Sequence, residues 1–223
     1  MRRACPDKDT SPMRQLALPT VTLAALAALS LPAQAETRSF DLKNFNKVAA
    51  SAGVDVILKQ GPFAVSVEEP DGKFDRLELR VRDSTLVASR KSDFRPLIER
   101  PHYTITVSAP DYRALNASSG SHVEGDALRL ANFAVEVSSG AHVGLSGDCK
   151  DIAISVSSGS HFSGEDLKCE RATVSASSGA HADAFATATA TGDASSGAHI
   201  NFHGKPANVT KDTSSGGSVS ADS

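Results

Sequence analysis

The chain has 223 residues, of which 40% are hydrophobic but only 5% aromatic, with no tryptophan and a formal net charge of −3. No basic excess marks a nucleic-acid partner, and the two tyrosines leave little with which a sugar-cleaving enzyme would hold its substrate.

Met13-Arg14 precedes an apolar stretch from Leu16 to Leu31, and Ala33-Gln34-Ala35 puts small residues at the two positions that signal peptidase reads. Residues 1–35 are therefore read as a signal peptide cut after Ala35. Residues 1–12 are polar and add nothing such a peptide needs, which makes Met13 an alternative natural start. Cys5 follows no apolar segment and is not a lipobox cysteine. The apolar run falls short of the ~20 residues that span a bilayer, so no integral membrane segment is expected after cleavage. The mature chain is expected to be exported, to the periplasm, the outer membrane or the exterior. Without the signal peptide its formal charge is −5, and the imbalance lies in residues 113–223, which carry 7 basic and 12 acidic residues.

Residues 36–112 read as a strand-rich N-terminal segment. Val54-Asp-Val-Ile-Leu58, a Gln60-Gly61-Pro62 turn and Phe63-Ala-Val-Ser-Val67 form a strand, turn, strand pattern, followed by a turn at Glu69-Pro70-Asp71-Gly72. Leu77–Val81, Leu86–Ala88 and Tyr103–Val107 continue the alternation of period two. The charged stretch from Lys91 to Pro101 reads as a loop.

Residues 113–223 are repetitive. Ser-Ser-Gly recurs six times, ending at Gly120, Gly140, Gly159, Gly179, Gly197 and Gly216, at spacings of 18 to 20 residues. A small-residue corner at a fixed phase of a period near twenty predicts an all-β solenoid of 19–20-residue coils, about five stacked from Leu115 onward. Aligned on the glycines, Leu115, Val135, Ile154 and Val174 form one inward column, Ala117, Val137, Val156 and Ala176 a second, and Val123, Val143, Phe162, Ala182 and Ile200 a third. His122, His142, His161, His181 and His199 each precede a member of the third column by one residue, so strand alternation turns them to solvent as a ladder. The core thins toward the C-terminus, where Gly192 and Lys211 continue the first column. That end offers unpaired backbone for a cap or for self-association.

Cys149 and Cys169 each stand ten residues before the glycine closing their coil, in an inward column flanked by Leu130 and Thr187. Stacking at ~4.8 Å brings them within disulfide range. A bond and two buried free thiols are both compatible with this spacing.

Phe45-Asn-Lys-Val48, Val54-Asp-Val-Ile-Leu-Lys-Gln-Gly61, Leu86–Ala88, Thr104-Ile-Thr-Val-Ser-Ala-Pro110 and the repeats together resemble the head GIN-domain family of auto-transporter adhesin heads. The resemblance runs from Phe40 to the C-terminus. It implies a right-handed parallel β-solenoid (β-helix) of exported bacterial proteins, often at the cell surface, and no established catalytic residues. The five histidines depart from the serine, aspartate or asparagine expected in such repeats.

Neither catalytic nor cofactor residues are assigned. Glu124, Glu136, Asp148, Asp151, Glu165, Asp166 and Glu170 occupy different phases of the repeat, and a Ser119–His122 pair is written five times where a catalytic site is needed once. No metal ligands are assigned either, and no cofactor is expected. The reading is a non-enzymatic exported β-solenoid that presents a repetitive surface to an extended envelope polymer, a glycan or a protein surface. The alternative is a metal- or pH-responsive module built on the histidine ladder, where neighbouring imidazoles share an ion; a polysaccharide-active enzyme ranks below both.

Overall fold

The computed structural model describes residues 36–91 and 101–222; the signal peptide and most of the Lys91–Pro101 loop expected from sequence lie outside the described residues. All fifteen described elements are strands, in one continuous hydrogen-bonded system. The expected parallel β-solenoid of about five turns is what the chain forms.

Four long strands make the body: β9 (His122–Val137), β10 (His142–Val156), β11 (His161–Ala176) and β12 (His181–Ala194). Each bends once and pairs in parallel with the next, so His142 lies beside both His122 and His161, and Ile154 beside both Val135 and Val174. Because the register matches like with like, the three inward columns form one core: Val135, Ile154, Val174, Phe162 and Ile200 are all 2% exposed or less. The last full coil is made of β13 (His199–His203) and β14 (Asn208–Thr213), and β15 (Ser218–Ala221) opens a partial coil stacked in parallel on β13. Every residue of β14 is exposed, with Val209 at 39%. Lys211 is in register with the buried Gly192 but is itself exposed, so the inward column expected from sequence ends at Gly192, and the charge on this last strand blunts an edge that another strand could otherwise extend.

The corners explain Ser-Ser-Gly. In each copy the second serine and the glycine both have positive φ, for example 53° at Ser139 and 70° at Gly140, and the next amide closes the turn onto the first serine, Ala141 N to Ser138 O at 3.1 Å. Two successive left-handed residues define a type I′ turn, whose twist suits the flanking strands. From Gly120 to Gly197, each corner glycine also donates to the second serine of the following coil, as Gly140 N does to Ser158 O at 3.2 Å, so the corners are laddered as the strands are. The sixth copy has Gly217 where the others have serine or alanine, because a Cβ there would stand 2.2 Å from the Ala194 carbonyl oxygen.

A seventh corner lies outside the recognised series. Ser51-Ala52-Gly53 has φ of 59° and 69° at its last two residues and joins β2 (Lys47–Ala50) to β3 (Asp55–Gln60). β3 pairs in parallel with β9 and with β7 (Thr104–Ala109), while β2 pairs with β8 (Ala114–Ala117) and β6 (Thr85–Arg90). The first coil in the chain is thus the second in the stack. β1 (Glu36–Phe40), β4 (Ala64–Glu69) and β5 (Leu77–Arg82) close the outer edges by antiparallel pairing. Tyr112, fully buried, keeps its hydroxyl within hydrogen-bond distance of the Lys59 and Val107 carbonyls, and burial pushes its pKa up.

Cys149 and Cys169 are in register with Cα atoms 4.4 Å apart and are joined as a disulfide. Their column continues to Ala186, not to Thr187 as the spacing suggested. The coil of β12 is shorter, and register shifts on both sides of this point carry Thr187 outward, where its hydroxyl donates to the Cys169 carbonyl.

Candidate functional site

The parallel register sets His122, His142, His161, His181 and His199 side by side on the outer face, between Asp55 at one end and Ser218 at the other. Their rings are not a uniform stack. Centroids are 6.4, 6.1, 4.9 and 6.3 Å apart in order along the row, and only His161 and His181 lie parallel, 3° from coplanar orientation. Burial, reinforced by repulsion from His181, holds the His161 pKa below the usual imidazole value.

Two residues further along each strand a second outward row begins, and it decides what each ring touches. Glu124 Oε1 lies 2.9 Å from His122 Nε2, Ser163 Oγ 3.0 Å from His161 Nε2, and Asp183 Oδ2 3.0 Å from His181 Nε2. Gly144 offers no side chain beside His142. Asp183 is the hub: its carboxylate also lies 4.0 Å from His161 Nε2 and 3.7 Å from His203 Nε2, and it accepts from Asn201 Nδ2 at 2.9 Å. Asp183, Asn201 and His203 were not picked out from sequence. The signal was there in the alternation, since Asp183 follows His181 by two residues and Asn201 and His203 follow His199 by two and four. As the rings are turned, no three His, Cys, Asp or Glu side chains among the described residues converge as a metal-ion shell.

The carboxylates are less scattered than their phases suggested. Glu124, Asp126, Glu165 and Asp166 line a groove of about 280 Å³ floored by Gly144, beside the ladder. Asp151, by contrast, lies in the later half of β10, past the register shift at Gly147, and pairs with Arg171, whose Nη2 donates to Oδ2 at 2.7 Å. That hydrogen-bonded guanidinium holds the Asp151 carboxyl below the usual carboxylate range.

β8 and the later halves of β9 to β12 make a second face of the stack, the second sheet, and a groove of about 530 Å³ crosses its successive coils. Ala134, Ala153 and Thr173, in register and exposed, are its small floor; Asn132, Asp151, Arg171 and Thr189 form a polar rim. Nothing in the repeats' sequence marked it, because a groove floored by alanine reads as bland surface.

The class of the protein is thus a parallel β-solenoid repeat architecture, with like positions in register along the stack. The family described as "Putative auto-transporter adhesin, head GIN domain" matches residues 44–206, and the chain belongs to that family, as the resemblance implied. Among solved structures, a "putative adhesin" from Bacteroides fragilis is similar over 85% of this chain and 97% of its own, at 17% identity and a TM-score of 0.63. A "putative lipid binding protein" from Parabacteroides distasonis covers the same shares at 17% identity and a TM-score of 0.50. At these identities the likeness is one of fold. No curated protein matches the chain.

Proposed function

We propose that the protein is a non-enzymatic binding module, exported to the cell envelope, that lays an extended glycan along the solenoid axis. The observation that carries this reading is the second-sheet groove: its floor and rim repeat in register over successive coils. A surface that repeats at the ~4.8 Å strand spacing suits a ligand that is itself a repeat. The rim supplies hydroxyl, amide, carboxylate and guanidinium groups that hydrogen-bond to sugar hydroxyls, and the small floor lets a chain approach the sheet. The adhesin family of the chain and the signal-peptide pattern at residues 1–35 both favour this reading.

Co-sedimentation with purified peptidoglycan sacculi, and separately with outer-membrane vesicles, tests it. Filling the groove with Ala134→Arg and Ala153→Arg, both at exposed positions, should abolish retention while leaving the circular dichroism spectrum unchanged. Replacing all five ladder histidines by serine should leave retention intact. If the groove-filled variant is retained like the parent, the groove is not the contact.

A further inference from the structure

We propose that Asp183, His161, His181 and His203 form a binding site for a divalent transition-metal ion of borderline softness, such as Zn²⁺ or Ni²⁺. The side chain of Asp183 is only 18% exposed, and among the described residues its ionic neighbours are the three histidines alone. A largely covered carboxylate with imidazoles but no lysine or arginine beside it calls for a compensating cation. A divalent ion supplies one.

The donors come from three successive coils, β11, β12 and β13, brought together by the parallel register. The carboxylate is held in orientation by Asn201, whose own carbonyl oxygen accepts from Ser220 Oγ at 2.5 Å. Support of this kind fixes a ligand before an ion arrives. The three Nε2 atoms stand 3.0, 3.7 and 4.0 Å from the carboxylate oxygens. Those distances straddle the ~3.3 Å edge of a tetrahedral shell with bonds of ~2.0–2.1 Å. The rings now face the carboxylate rather than a common point, so the shell closes by rotation of His161 and His203, whose side chains are 37% and 36% exposed and have solvent on one side. Three imidazoles and one carboxylate suit zinc, nickel or copper rather than calcium or magnesium. At the other end of the ladder the carboxylate is Glu124, 61% exposed, and Gly144 replaces any donor beside His142, so the site belongs to the C-terminal coils.

The site is separate from the second-sheet groove, and its test is independent of glycan binding. The untagged protein is titrated at neutral pH with Zn²⁺ alone by calorimetry, and with Co²⁺ while the visible absorption of a tetrahedral complex is followed. One ion per chain is expected, with affinity at least tenfold weaker in Asp183→Asn and in His203→Gln and unchanged in His122→Gln. Far-UV circular dichroism of each variant checks folding; His203→Gln, at a partly exposed position, keeps the test open should Asp183→Asn misfold. No binding heat with the parent overturns the site. So does binding that survives both substitutions, which would assign the ion to pairs along the ladder instead.

Discussion

Ile154→Asp measures whether the inward columns carry the fold. Ile154 is 2% exposed between Val135 and Val174, so its loss forfeits ~2–3 kcal/mol of side-chain burial. The introduced carboxyl meets no partner in that column. A fully buried carboxylic acid has its pKa raised by up to ~3–5 units; near pH 7 the cost is capped by the ~3 units between the unfolded carboxyl value and the medium, which at ~1.4 kcal/mol per unit adds about 4 kcal/mol. The total, ~6–7 kcal/mol, is a large share of the ~5–15 kcal/mol that stabilises an ordinary domain, so the coils around β10 should not stay folded. Because the folded-state pKa would be raised, the charge-related part of the penalty is present at neutral pH and shrinks as pH falls toward the unfolded carboxyl value. Ile154→Asn, close in shape but without charge, should show no such relief. His142→Asp, on the exposed row, should change stability by only ~0.5 kcal/mol. Urea unfolding followed by circular dichroism at pH 7 and pH 5 reads all three. Equal midpoints for Ile154→Asp and His142→Asp would refute the register.

Thiol titration of the denatured, unreduced mature protein should find Cys149 and Cys169 unreactive; two free thiols would remove the bond from the account. His161 has a depressed pKa in the folded state, so its contribution to stability is complete above the unfolded imidazole value and is lost as pH falls through the folded one. The parent should therefore lose more stability than His161→Gln between pH 7.5 and 5, and identical slopes in urea unfolding would contradict this. Gly217→Ala should expose the β15 amides to fast hydrogen exchange, since its Cβ meets the Ala194 carbonyl. Gly140→Ala has nothing within 4 Å of its Cβ and should cost only the left-handed penalty, ~1–2 kcal/mol; protection of β15 in both variants would argue against the close approach.

Ser-Ser-Gly at a fixed phase was enough to read the coils, because a type I′ corner demands small residues at two positive-φ positions and so leaves a mark in the sequence. The corner at 51–53 carried a weaker mark, with Ala52 in place of serine, and lay far from the series because the edge strands β4 and β5 and the coil strands β6 and β7 intervene in the chain. Order in the stack is set by long-range pairing, which no local pattern records. Thr187 was misplaced for a related reason: counting back from the glycine assumes coils of constant length, and β12 lacks that length. The ladder was legible from alternation alone. Its chemistry was not, since the Asp183 cluster depends on which ring turns toward which neighbour, and the alanine-floored groove depends on the bend of the sheet rather than on any distinctive residue.

The central claim is that the ligand lies along several coils at once, and binding as a function of ligand length tests it most directly. Peptidoglycan-derived glycan oligomers of increasing length, titrated by calorimetry, should bind progressively more tightly until they span about five coils, ~20 Å at the strand spacing, and then level off. In Ala153→Arg the series should be flat. Affinity independent of length in the parent would place the ligand in a single local pocket and contradict the account.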